Sequence, residues 1–76
     1  MADAKTVVID TIHELLSRRD EPVPEIGFDA DIYDEIGLDS LEVAELSAVL
    51  EDTFGTDPYS AGILPMTPRE IIAFYE

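Results

Sequence analysis

The chain has 76 residues, 46% of them hydrophobic, enough for one compact domain over residues 1–76 and too few for two. Eighteen Asp and Glu stand against four Lys and Arg, and a formal net charge of −14 repels phosphate backbones and anionic lipid, arguing against nucleic acid and membranes as partners. With no cysteine there is no disulfide staple and no thiolate metal site, so the fold must rest on packed apolar helices.

The sequence shows neither a signal-like segment nor an apolar run of the roughly eighteen residues a membrane span needs, so a cytoplasmic protein is expected. High net charge with low hydrophobicity would mark disorder, but the apolar content is ordinary and periodic.

From Ala4 to about Arg19 the residues Val8, Ile12, Leu15 and Leu16 recur at helical spacing, which predicts a first helix. Asp3 is its expected N-cap, and Arg18 and Arg19 are expected in its last turn, where cations favour the negative end of the helix dipole. Residues 20–39, with Pro22, Pro24, Gly27 and Gly37, fit neither a helix nor a strand, and predict a long ordered loop. Its apolar residues Val23, Ile26, Phe28, Ile32, Ile36 and Leu38 should pin it to the core.

Asp39 and Glu42 have the spacing of a capping box, so a second helix should run from Ser40 to about Phe54 and stop at Gly55. Val43, Leu46, Val49, Leu50 and Phe54 form its expected apolar face. Glu42, Glu45, Glu51 and Asp52 form an acidic one. The segment from Asp57 to Gly62 opens with Pro58 and predicts a short third helix. Thr67-Pro68-Arg69-Glu70 combines an N-cap, Pro at the first helical position and Glu at the third, so the last helix should begin at Pro68 and bury Ile71, Phe74 and Tyr75. The expectation is an all-α fold: a small four-helix bundle of three main helices and one short one, with a long loop between the first two.

The segment Ile36-Gly37-Leu38-Asp39-Ser40-Leu41-Glu42 carries the chemistry. It places a hydroxyl at a helix N-terminus, where unpaired backbone N–H groups and the positive dipole end favour a covalently attached phosphodiester. Gly37-Leu38-Asp39-Ser40-Leu41 resembles the Gly-x-Asp-Ser-Leu modification motif of the acyl carrier and peptidyl carrier protein family. The resemblance extends over nearly the whole chain, because the helix order, the acidic second helix ending in Glu51-Asp52-Thr53-Phe54-Gly55 and the overall length fall where that family has them.

The resemblance implies a bundle of the acyl carrier type and a non-catalytic carrier, with 4′-phosphopantetheine from coenzyme A attached at Ser40 within the motif Asp39-Ser40-Leu41. Acyl or aminoacyl groups would ride on the arm's thiol as thioesters. Implied partners are a phosphopantetheinyl transferase and an acyltransferase, ketosynthase or adenylating enzyme with a basic patch, docking on Leu41, Glu42, Glu45, Ala48, Glu51 and Asp52. Ala48 stands where relatives often carry a larger apolar residue. That departure, with the stretches Glu21–Pro24 and Thr56–Pro65, favours polyketide, nonribosomal peptide or other antibiotic-type metabolism over fatty acid synthesis.

Other readings compete. Ser40 could merely cap its helix, but Asp39 already occupies that role. It could be a nucleophile, yet His13 on the first helix is the only histidine available as a base. The acidic helix face could be an ordinary solvated face, or the whole chain an acidic interaction module without an arm. Asp29, Asp31, Asp34 and Glu35 lack the ligand order of a calcium loop, so no metal site is expected. Ser17, Ser47 and Ser60 lack the Gly-x-Asp context that marks Ser40. A monomer is expected.

Overall fold

The computed structural model describes residues 3–76. Three helices form its frame: α1 (Ala4–Ser17), α2 (Ser40–Phe54) and α3 (Pro68–Phe74), and α1 packs against both of the others. The fold is all-helical among the described residues.

Each helix begins where its capping chemistry places it. The Asp3 carboxylate accepts the Thr6 N–H at 2.7 Å, Asp39 accepts that of Glu42 at 2.8 Å, and Thr67 Oγ1 accepts that of Glu70 at 3.2 Å. Each of these bonds satisfies a donor that the helix itself cannot. Gly55 ends α2 at φ +81°, a left-handed conformation in which a Cβ would be strained. Helix α1 stops at Ser17, earlier than expected. Arg18 is its C-cap and Arg19 lies beyond it, so neither cation sits in the last turn; both are turned toward α2 instead.

The core joins the α1 stripe Val8, Ile12, Leu15 and Leu16 to Val43, Leu46 and Leu50 of α2 and Ile71 of α3. Ile32, Ile36 and Leu38 complete it from the 20–39 segment, with Val23 and Ile26 packed on its edge, so five of the six apolar residues pin that loop as expected, while Phe28 lies off this core with its ring beside Lys5 and Arg69. Val49 does not join this face. It is 39% exposed, because it lies on the side of α2 turned away from α1. Of the residues expected to be buried at the C-terminal helix, Ile71 is fully buried, as is Pro68 at the start of α3, while Phe74 and the C-cap Tyr75 are half-buried at the boundary.

The expected short helix at 57–62 is a turn. Ala61 N bonds Asp57 O, Gly62 N bonds Tyr59 O and Ile63 N bonds Pro58 O, so the spacing changes at every step and no helical ladder propagates. Gly62 at φ +84° then redirects the chain. Among the described residues the outcome is three helices plus a turn, and the fourth, short helix is not formed.

The far end of the bundle is closed by Tyr75, whose ring centroid lies 4.6 Å from that of Phe54 and whose hydroxyl donates to Thr56 O at 2.9 Å. Desolvation, with the charge of Asp57 adding, pushes the Tyr75 phenol up from 10.0 to about 12. An acid raised on folding contributes stability that is complete below its unfolded value and is lost as pH rises through the folded one. Denaturant titrations should therefore show stability falling from pH 10.0 toward about 12. Tyr75→Phe should make that slope shallower, the remainder coming from Tyr59, whose phenol burial also raises; an identical slope in the variant would remove Tyr75 as a source.

Candidate functional site

The site is built around the junction that leads into α2. Ile32 O accepts the N–H groups of both Gly37 and Leu38, at 3.1 and 3.0 Å, and the Leu38 side chain is buried in the core. Gly37 takes φ +87°, which turns the chain upward into Asp39 and which an L side chain adopts only with strain. Asp39 and Glu42 then form the reciprocal capping box: Glu42 N donates to Asp39 at 2.8 Å and Asp39 N to Glu42 at 3.0 Å. Two of the four donors at the helix start are thereby satisfied, leaving the N–H groups of Ser40 and Leu41. Ser40 is the first residue of α2 and is exposed.

Sequence reasoning assigned Arg19 to the last turn of the first helix and did not place it at this site. Its guanidinium donates to Gly37 O at 2.8 Å and pairs with the Glu42 carboxylate that also takes the Asp39 N–H. Its partners lie 18 and 23 residues away, and no local pattern marks such a link. Glu42 is consequently drawn inward and half-buried. Glu45 is exposed and meets Arg18 at 2.6 Å. The remaining residues expected on the docking face stand outward: Leu41 is 71% exposed, and Ala48, Glu51 and Asp52 line a shallow hollow on α2.

A second group missed from sequence surrounds Asp57, which is fully buried although acidic residues are normally exposed. Its Oδ1 accepts the Ser47 hydroxyl at 2.7 Å and the Ser60 N–H at 3.0 Å. Burial acts to raise its pKa, but the bonds from Ser47 and Ser60 outweigh burial and hold the carboxyl below its ordinary value. Ser47 and Ser60, poor candidates for modification, thus have a structural role. A shallow hollow of about 340 Å³ is lined by Ser40, Val43, Ala44 and Ser47 of α2 and by Tyr59 and Ser60.

The acidic residues of the first loop are turn caps. Asp31 accepts the N–H groups of Tyr33 at 2.9 Å and Asp34 at 2.8 Å, while Glu35 takes that of Asp31 at 3.2 Å. Asp29 takes two bonds from Arg69, at 2.7 and 3.1 Å. Among the described residues no three metal-binding side chains come together. His13 is exposed on α1.

The site is thus an exposed hydroxyl at the head of an acidic helix in an all-helical frame, with a shallow hollow beside it. A family model for the phosphopantetheine attachment site matches residues 7–73, so the chain belongs to that family, a carrier domain whose cofactor is 4′-phosphopantetheine. No curated protein and no solved structure matches the chain. Carrier domains of this family are in general non-catalytic and are met by partner enzymes such as phosphopantetheinyl transferases. The start of α2 fits the group: an exposed hydroxyl and two backbone donors for a phosphodiester.

Removing the cap isolates its contribution. Asp39→Ala should cost about 1 kcal/mol, a fall in melting temperature of roughly 4–8 °C for a domain of this size, with faster amide exchange over Ser40–Val43. Asp39→Ser, which keeps a capping oxygen, should recover most of the loss. An unchanged melting temperature in Asp39→Ala would show that the box adds nothing.

Proposed function

We propose that the chain is a single carrier domain, residues 1–76, that bears its arm on Ser40 and holds acyl or aminoacyl intermediates for separate enzymes. The observation that supports this best is that Asp39 takes the capping role and leaves the neighbouring Ser40 exposed beside two unpaired N–H groups. In the modification, a bond forms from Ser40 Oγ to the phosphorus of coenzyme A as the pyrophosphate P–O bond breaks. Adenosine bisphosphate leaves, and the transferase takes the serine proton. When bound, the arm supplies a terminal thiol on which cargo is carried as a thioester.

The α2 surface is the proposed docking face, with Leu41 as an exposed apolar contact and Glu45, Ala48, Glu51 and Asp52 around it. Glu42 contributes by holding the helix start as well as by its charge. A net charge of −14 steers the domain toward basic patches on a transferase, an acyltransferase, a ketosynthase or an adenylating enzyme. A tethered arm gives each such enzyme the cargo at high effective concentration. Among the described residues no helix is long and apolar enough to cross a membrane. We place the domain in the cytoplasm as a monomer, serving polyketide or nonribosomal peptide type metabolism.

Incubation with coenzyme A and a broad-specificity phosphopantetheinyl transferase, followed by intact mass, tests the reading. The wild type should gain one arm and Ser40→Ala none. An unmodified wild type, under conditions where the transferase modifies a control carrier, would overturn it.

A further inference from the structure

The carboxylates of α2 are not equally free. Arg18 and Arg19 reach across from the end of α1 to its first half: Arg18 meets Glu45 at 2.6 Å, with Glu14 of its own helix at 3.9 Å, and Arg19 pairs with Glu42. Two of the chain's four cations are thus set against the two α2 carboxylates nearest Ser40, and cancel their charge. Glu51 and Asp52, in the second half of the helix, are exposed and have no ion-pair partner among the described residues. Glu51 takes only a long contact from the Ser60 hydroxyl, at 3.4 Å.

The two halves of the helix also differ in shape. Leu41, beside Ser40, is 71% exposed. Ala48 lies eight residues beyond Ser40, about 12 Å along the axis, and lines a shallow hollow of about 390 Å³ together with Glu51 and Asp52. A methyl group between two unpaired carboxylates suits one kind of visitor, a lysine or arginine whose apolar stem lies over Ala48 while its cation meets the acids. Glu45, on the same face, already has its cation.

We propose that Arg18 and Arg19 determine where a basic partner holds this chain. They neutralise the end of α2 next to Ser40, so contact there is apolar and made by Leu41, and the partner's lysine or arginine is taken by the hollow of Ala48, Glu51 and Asp52. The proposal rests on Ser40 as the attachment point and α2 as the docking face. It deepens that reading by naming which carboxylates a partner meets, and by making Arg18, a residue of another helix, a determinant of partner choice. Arg18 is the residue to vary, since its pair with Glu45 is exposed, at 57% and 45% of the two side chains, whereas Arg19 also holds the start of α2.

Steady-state kinetics of arm transfer from coenzyme A to the full-length protein, by a transferase with a basic carrier-binding surface, tests this at low and high salt. Glu51→Gln and Asp52→Asn should each raise KM roughly two- to fivefold with kcat unchanged, and Glu45→Gln should raise it less. Ala48→Met fills the hollow without altering charge and should raise KM as Glu51→Gln does. Arg18→Gln should lower KM by a similar factor, because it uncovers Glu45, and adding Glu45→Gln to it should cancel that gain. High salt should compress the charge effects. A merely structural role for Arg18 would move the melting temperature without a fall in KM that depends on Glu45.

A KM raised or unmoved in Arg18→Gln would overturn the proposal. So would equal rises in Glu45→Gln and Glu51→Gln, or a KM in Ala48→Met that is unchanged or lower. All of these leave the mass gain of the wild type intact. Failure of Ser40 as the attachment point shows separately, as no gain in mass with the transferase, and would overturn both readings.

Discussion

The Arg19 guanidinium holds together the two ends of the longest non-helical stretch in the molecule. It leaves the end of α1, bonds the carbonyl of Gly37 and pairs with Glu42, and Glu42 in turn takes the N–H of Asp39. The start of α2 is therefore fixed from three sides: by the cap, by the core anchor Leu38 and by a cation from another helix. This network is partly buried, so its electrostatics are screened less than those of a surface pair. Everything the site offers follows from it. With Asp39 and Glu42 occupied in fixing the helix, Ser40 has no structural duty to perform.

The scarcity of positive charge gives that arrangement its meaning. Each of the four cations is engaged within the chain: Arg18 with Glu45, Arg19 with Glu42, Arg69 with Asp29, and Lys5 over the Phe28 ring at 5.2 Å. Exposed pairs such as Arg69–Asp29 contribute little stability, yet they fix where the surplus carboxylates remain. Glu51 and Asp52 are left on the outer side of α2, and Leu41 stands exposed near Ser40. On the proposal that this face docks, an acidic surface with Leu41 exposed on it would favour quick encounters with basic surfaces, because charge raises encounter rates more than it deepens affinity.

Much of this was legible in the residues alone, wherever the signal was local. The Asp39–Glu42 spacing, Gly55, and Thr67 before Pro68 placed the α2 boundaries and the α3 start, since caps depend on neighbours three or four residues away. The pinning of the 20–39 loop followed from its apolar residues. What could not be read depended on distance or on competition. Arg19 was expected to serve its own helix and instead serves another, through partners that no periodicity reveals. Asp57-Pro58 looks like a helix start, but its carboxylate is drawn inward to Ser47 and the chain closes a turn rather than a helix. Val49 shared the helical stripe with Leu46 and Leu50, and only the position of α1 decides that it faces outward.

The central claim is that Asp39, Glu42 and Arg19 hold the start of α2 and leave Ser40 structurally idle. Native-state amide hydrogen exchange over Leu38 to Val43 tests it most directly. The account predicts that Ser40→Ala retains wild-type protection across these amides while Arg19→Ala loses protection there first, with the rest of α2 less affected. Equal loss of protection in Ser40→Ala and Arg19→Ala would contradict it, because Ser40 would then be part of what holds the helix rather than what the helix presents.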